Sequence, residues 1–474
     1  MALTRPDFRI SFPGASMRRP DPAISPLSVP LRDLHSPVSS IASSDFDHLL
    51  SEDDARSESD SSDGLPPVDG GRDAWVFLLS IWLIEAMIWG FPLAFGIFQS
   101  YYTTHPLFLS HSSSIPTIGT LATGVSFLGM PVTNVIALRL PLHQRAMCVA
   151  GWAMCVLGLV GASFATEVWH LLFFQGLLYG TGWVVCYTPF LYMLNGWWVE
   201  RRGLAYGILF AASGVSGLII PLGVGALLNR FGFRTALRAY AVATVMISGP
   251  GLFLIKPRIP PVKGEAASTG KSHDSSRLWS ILRGPNFILF ATMIFVQGLG
   301  YFLPNIFLPS FANDLSLSSS AGYGLLALNA LSQVVGQIGQ GYMSDKLNPY
   351  IQTSFTTLLS GISVVFIWGP AKGMLRLALF ASLWGLLSAS YSVLFTNICT
   401  FLTKDPSLEL TVYGIFSFER GVANVLEGPI SAMLIGQDVN VEKYALGQYQ
   451  GIVWFTAICM FLASLGVAGL LLRR

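Results

Sequence analysis

The stretch LAYGILFAASGVSG, Leu204–Gly217, returns in the second half of the chain as TVYGIFSFERGVAN, Thr411–Asn424. The Tyr-Gly-Ile and Gly-Val segments occupy the same register in both copies, but the second copy has Glu419 and Arg420 where the first has Ala and Ser. Both copies lie in stretches apolar enough to cross a membrane. An internal repeat with charges inside one apolar copy is typical of a membrane transporter built from two related halves.

The composition of the 474-residue chain also indicates a membrane protein. Apolar residues make up 52% of the chain and charged residues only 11%, whereas soluble domains carry about 25% charged residues. The net charge is +2 without any basic tract, so nucleic acid is not an expected partner. The five cysteines match neither a disulfide framework nor a metal site. Nucleotide-binding, hydrolase and zinc motifs are missing, so we expect no enzyme activity, no cofactor and transport driven by gradients.

The chain begins with a polar segment, 1–68, that is rich in Ser, Pro and Asp. Such a segment buries too little apolar surface to offset the entropy lost on folding, so we expect a disordered cytoplasmic tail. No apolar core follows Met1, and therefore no cleavable signal peptide is expected. A solvated tail and a phosphorylated regulatory tail both fit the acidic stretch 51–64.

Twelve stretches after the tail are long and apolar enough to cross a bilayer, which takes about 20 residues. The polar segment 256–285 divides them into six and six. We therefore predict an all-α membrane protein with a bundle over 69–255, a cytoplasmic linker over 256–285 and a second bundle over 286–474. The predicted spans 1 to 12 cover 74–99, 116–138, 145–165, 169–194, 203–228, 236–255, 286–309, 321–342, 351–369, 374–401, 411–435 and 449–472.

Basic residues in the loops predict that both termini lie in the cytoplasm, because Lys and Arg concentrate on the inner side of a membrane. The cluster Arg230, Arg234 and Arg238 after span 5 is an exception to this pattern. We expect a multi-pass protein embedded in the lipid bilayer of the plasma membrane, with the vacuolar membrane as the alternative. The oligomeric state stays open, and a monomer fits.

Polar residues within the spans predict which helices face the interior, because such residues are costly in lipid. Spans 3, 6, 9 and 12 have no acidic residue in their cores and are expected to face lipid. In three other spans, polar residues recur at intervals of three and four and so share a helix face. The candidate substrate or coupling residues in these spans are Glu85, Trp89, Gln333, Gln337, Glu419, Arg420, Asn424 and Glu427.

Most of these candidates allow a structural role as well as a functional one. Glu85, near the middle of span 1, is either a proton-coupling carboxyl or a structural carboxyl bonded to another helix. Arg420 is expected to contact substrate or a counter-charge. Glu427 fits packing or gating as well as substrate contact, and Gln333 and Gln337 fit hydrogen bonds between helices.

Several stretches resemble the monocarboxylate-porter branch of the major facilitator superfamily, especially its fungal members. They are Asp69-Gly70-Gly71 ahead of span 1, GFPLAFGIFQSYY (Gly90–Tyr102), YTPFLYMLNGWWVERRGLAYGILFAASGVSG (Tyr187–Gly217) and GYMSDK (Gly341–Lys346). The resemblance implies two six-helix bundles, alternating access and, often, proton-coupled movement of organic acids. It also implies that Asp345 and Lys346 help to lock the inner gate.

Two departures from that branch bear on the substrate. Animal lactate carriers have a Lys just after the Phe-Pro pair of span 1, where this chain has Leu93, and an Asp and an Arg in span 8, at Gln333 and Gln337. A simple lactate or pyruvate symporter is therefore not expected. Either Arg420 and Glu85 supply a relocated charge pair, or the substrate is a larger and less charged metabolite.

We predict a secondary transporter of a small organic molecule, with protons as a further partner. Export of a secondary metabolite is favoured over uptake of a monocarboxylate or a vitamin-like organic anion, by analogy with the family alone. A membrane sensor that does not transport is the alternative from another class of protein.

Overall fold

The computed structural model describes residues 66–259, 275–388, 391–436 and 439–473. The predicted disordered tail therefore lies outside the described residues, except for its last three positions. The same is true of 260–274 in the predicted linker. The later part of that linker contains a short helix, Ser275–Leu282.

In the described residues, the first half of the molecule contains six long helices, α1 to α6. α2 bends by 43° near Gly129, just before Pro131, which lacks the N–H that would continue the helix. A long helical stretch near the end of this half turns at Gly232, whose φ of 74° suits glycine, and this turn separates α5 (202–231) from α6 (233–254). The bounds are Gly71–Thr104 for α1, Pro116–Leu128 with Met130–Arg139 for α2, Gln144–Ala162 for α3, Val168–Trp197 for α4 and Arg202–Leu254 for α5 and α6 together.

The second half contains α7 to α12. α7 is broken into α7a, Pro285–Leu299, and α7b, Leu303–Asp314, by three residues that are not helical. The remaining bounds are Ser319–Ser344 for α8, Pro349–Trp368 for α9, Met374–Leu402 for α10, Pro406–Leu434 for α11 and Gln450–Gly469 for α12.

Eight of the described helices are long and apolar enough to cross a membrane, or nine if the bent α2 is included. The turn at Gly232 divides one of them into two spans. α8 and α11 have 26 and 29 residues and are long enough to span, although their polar stripes lower their hydropathy. The helices thus agree with the twelve predicted spans, and the all-α membrane fold class is confirmed.

Contacts between helices follow a two-halved arrangement. Within the first half, α1 packs against the α5–α6 stretch and α3 packs against α4. Within the second half, α7a packs against α11 and α12, and α9 packs against α12. The two halves meet where α5 contacts α8 and where α2 contacts α11. Outward-facing apolar side chains such as Met246 and Phe253 stay 71% and 80% exposed, as expected of a surface that lipid covers.

Candidate substrate cavity and gate

A central cavity lies between the two halves. Its described lining residues come from α1, α2, α4 and α5 on one side and from α7, α8, α10 and α11 on the other, and the four spans predicted to face lipid contribute none. The open space, including its mouth, is about 840 Å³, within the range of about 300–1,000 Å³ typical of small-molecule sites. Nine of the nineteen lining residues are aromatic, so the walls are largely apolar.

The first-half wall holds a buried carboxyl among aromatic rings. Glu85 is 1% exposed and interacts with the side chain of Trp89, while its Oε1 has no hydrogen-bond partner in the described part of the chain. The Trp89 ring packs edge-on against Trp183 at 5.2 Å, and Trp183 stacks on Tyr187 at 4.4 Å. Trp183 Nε1 is likewise buried without a described partner. This wall therefore offers flat aromatic faces and two unused polar atoms.

The second-half wall holds the cation. Arg420 is 3% exposed and donates a hydrogen bond of 2.7 Å to Oε1 of Gln297. Its guanidinium lies 4.1 Å from the ring centre of Tyr301 and 5.6 Å from that of Phe395. No carboxylate of the described residues lies within ion-pair distance of it. Because a guanidinium has five N–H donors, Arg420 keeps donor capacity for a ligand.

Two glutamines of α8 face the first half. The side-chain amides of Gln333 and Gln337 lie 3.4 and 3.5 Å from Oγ of Ser213. Gln337 is 1% exposed, and its Oε1 has no hydrogen-bond partner within the described ranges. Ser213 is the residue that the repeat aligns with Arg420, and both line the cavity. The repeat therefore places one polar residue from each half on the same cavity.

Glu427 lies behind the cavity wall rather than in it. Its carboxylate accepts the backbone N–H of Phe302 at 2.9 Å and also that of Tyr301, at the break between α7a and α7b. A helix break interrupts the regular backbone hydrogen bonds, and Glu427 accepts two N–H groups there; the N–H of Tyr301 also lies 3.3 Å from the carbonyl oxygen of Gly298. Seven residues earlier on α11, Arg420 contacts Gln297 just before the break. α11 therefore contacts α7 on both sides of the break.

The structure brings together five of the eight predicted substrate or coupling residues, namely Glu85, Trp89, Gln333, Gln337 and Arg420. Glu419 and Asn424 are only partly buried and do not line the cavity. Glu419 Oε2 and Asn424 Oδ1 have no hydrogen-bond partner in the described parts of the structure. Their role in substrate binding or coupling stays a prediction.

The predicted gating residues differ in what they contact. Asp345 accepts the N–H groups of Gly203 at 2.6 Å and Leu204 at 3.0 Å, and so joins the end of α8 to the start of α5. Burial raises the pKa of the Asp345 carboxyl above its ordinary value, although the two N–H donors act in the opposite direction. Lys346 is exposed, lies in the turn after α8 and contacts Tyr342 of α8. We call this end of the molecule the Asp345 end.

Further contacts at the Asp345 end were not foreseen from the sequence. Arg202 forms a salt bridge of 2.7 Å with Glu409, which also accepts a hydrogen bond from Thr400. Asn134 of α2 donates to the carbonyl of Leu410 at 2.6 Å. A signal was present for the salt bridge, because Arg202 and Glu409 each lie two residues before the repeated stretch.

Backbones of α5 and α8 touch at this end. A Cβ atom placed on Gly341 would lie 2.4 Å from the carbonyl oxygen of Gly203 and 2.9 Å from Cα of Gly207. Real Cβ atoms do not approach other atoms that closely, so only glycine allows this packing. The contact between α5 and α8 at the Asp345 end therefore involves close backbone packing as well as charge.

Comparison with known proteins identifies the family. The profile of the Major Facilitator Superfamily matches residues 78–426. The chain belongs to the Major Facilitator Superfamily. Its members are transporters, so this facilitator is a multi-pass membrane protein that carries a small organic substrate, and it is not an enzyme.

Two curated relatives agree with the predicted branch of the Major Facilitator Superfamily. The facilitator is 26% identical to the fujikurins efflux protein of Gibberella fujikuroi over 399 residues, which cover 84% of this chain and 83% of the relative. It is 25% identical to monocarboxylate transporter 13 of Rattus norvegicus over 370 residues, which cover 78% of this chain and 83% of the relative. Relatives of both kinds confirm the resemblance to a fungal, monocarboxylate-porter-like branch.

A solved structure supports the fold of this facilitator. The fucose:proton symporter of E. coli superimposes with a TM-score of 0.61, covering 83% of this chain and 97% of the symporter. The two sequences are only 13% identical, so the likeness concerns the fold alone.

Proposed function

We propose that this facilitator exports a small organic metabolite across the plasma membrane by alternating access, in exchange for protons that Glu85 carries. The observation that carries the proposal is a buried acidic residue and a buried basic residue on one cavity. Glu85 on the first half and Arg420 on the second are both at least 97% buried, and neither has a counter-ion within ion-pair distance among the described residues. The two charges sit on the halves that must move relative to each other.

Proton coupling follows from the surroundings of Glu85. A carboxylate among aromatic rings is costly unless a proton or a cation neutralises it. Alternating access would expose the cavity to one side of the membrane and then to the other, so a proton taken up by Glu85 on one side would leave on the other. Arg420 would hold the substrate on the opposite wall. Movement of the bundles 69–255 and 286–474 would link the two events.

Export and location rest on the named relative and on the loop charges. The relative from Gibberella fujikuroi is named an efflux protein, which favours export over uptake of a monocarboxylate or vitamin-like anion. Loop charges favour cytoplasmic termini in the plasma membrane. The Asp345 end would then face the cytoplasm, and the described contacts there would belong to a state closed on that side. Because one chain forms the whole cavity, a monomer suffices.

The proposal can be tested in reconstituted vesicles. Compounds that accumulate in cells lacking the protein, compared with cells containing it, would be loaded on one side, and their movement under an imposed pH gradient followed by mass spectrometry. We expect movement coupled to the gradient, lost in Glu85→Gln and kept in Glu442→Gln, a matched change in an exposed loop. Binding without movement under any gradient would point to the sensor alternative, and uptake with protons would overturn the direction proposed.

A further inference from the structure

We propose that the substrate is a flat, conjugated weak acid that also carries an N–H or O–H donor. The inference rests on the proposed role of the central cavity as the substrate site. It goes further by naming the chemical class that the cavity walls would recognise.

The flat shape follows from the aromatic walls. Trp183 and Tyr187 are stacked with an angle of 18° between their planes, and Trp89 packs on the same group. On the other side, Tyr301 and Phe395 flank the guanidinium of Arg420. Aromatic faces favour ligands that stack in offset or edge-on geometry. A conjugated ring system can contact both walls, whereas a short aliphatic chain leaves most of this surface unused.

The acidic group follows from Arg420, the one cationic residue among the described lining residues. Its 2.7 Å hydrogen bond goes to the neutral amide of Gln297 and not to a carboxylate. A guanidinium matches planar anions with two parallel hydrogen bonds. Because the site is buried, an anion whose charge is spread over a conjugated system loses less hydration free energy on entry than a compact one. A substrate with a single negative charge would therefore pair with Arg420.

The donor follows from acceptor atoms that lack partners. Oε1 of Gln337 and Oε1 of Glu85 are buried, line the cavity and have no hydrogen-bond partner in the described chain. Nε1 of Trp183 is a donor in the same situation. Buried polar atoms are almost always paired in folded proteins, so these three atoms mark the places that ligand groups or water fill. A simple carboxylate offers only hydrogen-bond acceptors, so it cannot donate a hydrogen bond to Oε1 of Gln337.

The experiment measures binding of small probes to the purified full chain in lipid nanodiscs by calorimetry. The parent probe is 4-hydroxyquinolin-2(1H)-one, which combines an acidic oxygen, an N–H donor and a carbonyl acceptor on a flat ring system. Its N-methyl analogue lacks the donor, its 4-methoxy analogue lacks the acid, and cyclohexanecarboxylate is an acid that is not flat. We expect each methylated analogue to bind about tenfold more weakly, the loss typical of one hydrogen bond, and cyclohexanecarboxylate to bind more weakly still.

Variants assign the losses to residues. Gln337→Met should weaken binding of the parent probe and remove the difference between it and the N-methyl analogue. Arg420→Lys keeps the charge but loses the planar guanidinium that forms two parallel hydrogen bonds. The change should weaken binding of the parent probe and leave binding of the 4-methoxy analogue unchanged. Thermal unfolding of each variant checks that it is folded. If a variant does not fold, the comparison of probes on the unaltered chain still decides the proposal.

The outcomes separate this inference from the proposed function. Equal affinity for the parent and both methylated probes would overturn the substrate class, as would tighter binding of cyclohexanecarboxylate. So would no binding of the parent probe by a chain that transports another compound in vesicles, and in that case transport itself would stand. Absence of any gradient-driven movement in vesicles would instead overturn the proposed function, whatever the probes show.

Discussion

Arg202 and Glu409 stand 207 residues apart in the sequence, and their side chains form a salt bridge of 2.7 Å. The same separation aligns Leu204–Gly217 with Thr411–Asn424, so the two residues occupy equivalent places in the two halves. A residue contacts its own counterpart only near the axis that relates the halves. The salt bridge therefore lies near the pseudo-twofold axis of the molecule, where the halves must separate for the Asp345 end to open.

This relationship predicts the effect of exchanging the two charges. Arg202→Glu or Glu409→Arg alone places like charges together, where the side chains are only 14% and 5% exposed. We expect each single change to destabilise the closed Asp345 end by about 2 kcal/mol, somewhat less than the about 3–5 kcal/mol for a fully buried pair. The double exchange should restore most of the loss, because the two positions are equivalent.

The measurement uses Ser392→Cys, a cavity-lining position, and a thiol reagent applied from the Asp345 side. The five native cysteines are all buried and serve as background. Labelling should rise in both single variants and fall again in the double variant. Full recovery is not expected, since Arg at 409 stands in the first turn of α11, where the helix dipole disfavours a cation. Labelling of the double variant as strong as that of the single variants would contradict the proposed axis.

A second prediction concerns the backbone contact between α5 and α8. Gly341→Ala places a Cβ atom against Gly203 and Gly207, whereas Gly339→Ala on the same helix meets nothing within 4 Å. Both changes raise helix propensity by about 1 kcal/mol. Any difference between the two variants therefore reports the contact between α5 and α8. We expect Gly341→Ala to increase thiol labelling of Ser392→Cys from the Asp345 side several-fold. Gly339→Ala should leave labelling unchanged and keep or raise the unfolding temperature, and equal labelling of the two variants would show that the close packing is not needed.

The sequence allowed much of the fold to be predicted, for a physical reason. Lipid requires long apolar helices with their polar residues turned inward, so span positions and polar stripes are visible in the residue order. Predicted span 8, 321–342, lies within the helix Ser319–Ser344. Because polar residues within spans turn inward, Glu85, Arg420 and Gln337 were predicted as candidate site residues, and all three line one cavity.

Two kinds of contact were not predicted: contacts to backbone groups, which carry no sequence signature, and contacts set by how the two halves dock. Glu427 binds backbone N–H groups, which every residue except proline carries, and only the break in α7 makes two of them available. Arg202 and Glu409 lie at helix ends near polar loops, where charged residues are expected without any partner. Their pairing depends on how the two halves dock, and periodicity within a single helix carries no information about docking.

A third prediction concerns Asp69, whose carboxylate accepts the N–H groups of Val199, Glu200 and Arg201 at 2.8–3.0 Å. Burial acts to raise the pKa of Asp69, but the three donors outweigh it and the pKa lies below its ordinary value. A carboxyl with a lowered pKa stabilises the folded state above its unfolded pKa of about 3.9, and this contribution is lost as the pH falls through the folded value.

Asp69→Ala should therefore lower stability by about 1–2 kcal/mol at neutral pH, the range for loss of a helix cap. Asp73→Ala is the matched control, because Asp73 forms an exposed salt bridge of 3.1 Å with Lys256, and such pairs contribute only about 0–1 kcal/mol. Thermal unfolding between pH 7.5 and pH 3.5 measures both. The deficit of Asp69→Ala should shrink below about pH 4, and a deficit that does not change with pH would refute the role of the charged carboxylate.

The last prediction separates two glutamates of α11. Glu427 accepts two backbone N–H groups at the break in α7, which places Tyr301 and Phe302 in the cavity wall. A glutamine retains only one acceptor oxygen, so Glu427→Gln leaves its amide N–H₂ facing a backbone donor. We expect this change to loosen the break and to lower substrate affinity about tenfold, equal to about 1.4 kcal/mol and within the range for an unsatisfied buried donor.

Glu419→Gln is the matched comparison on the same helix. Glu419 does not line the cavity, and its Oε2 has no hydrogen-bond partner within the described chain, so we expect near-normal affinity and rate. Binding and gradient-driven flux would be measured for both variants over a range of pH. If Glu419→Gln shifted the pH profile of flux while Glu427→Gln left binding and flux unchanged, the roles assigned to the two glutamates would be reversed. That result would make Glu419, the residue that distinguishes the second copy of the repeat, the coupling carboxyl.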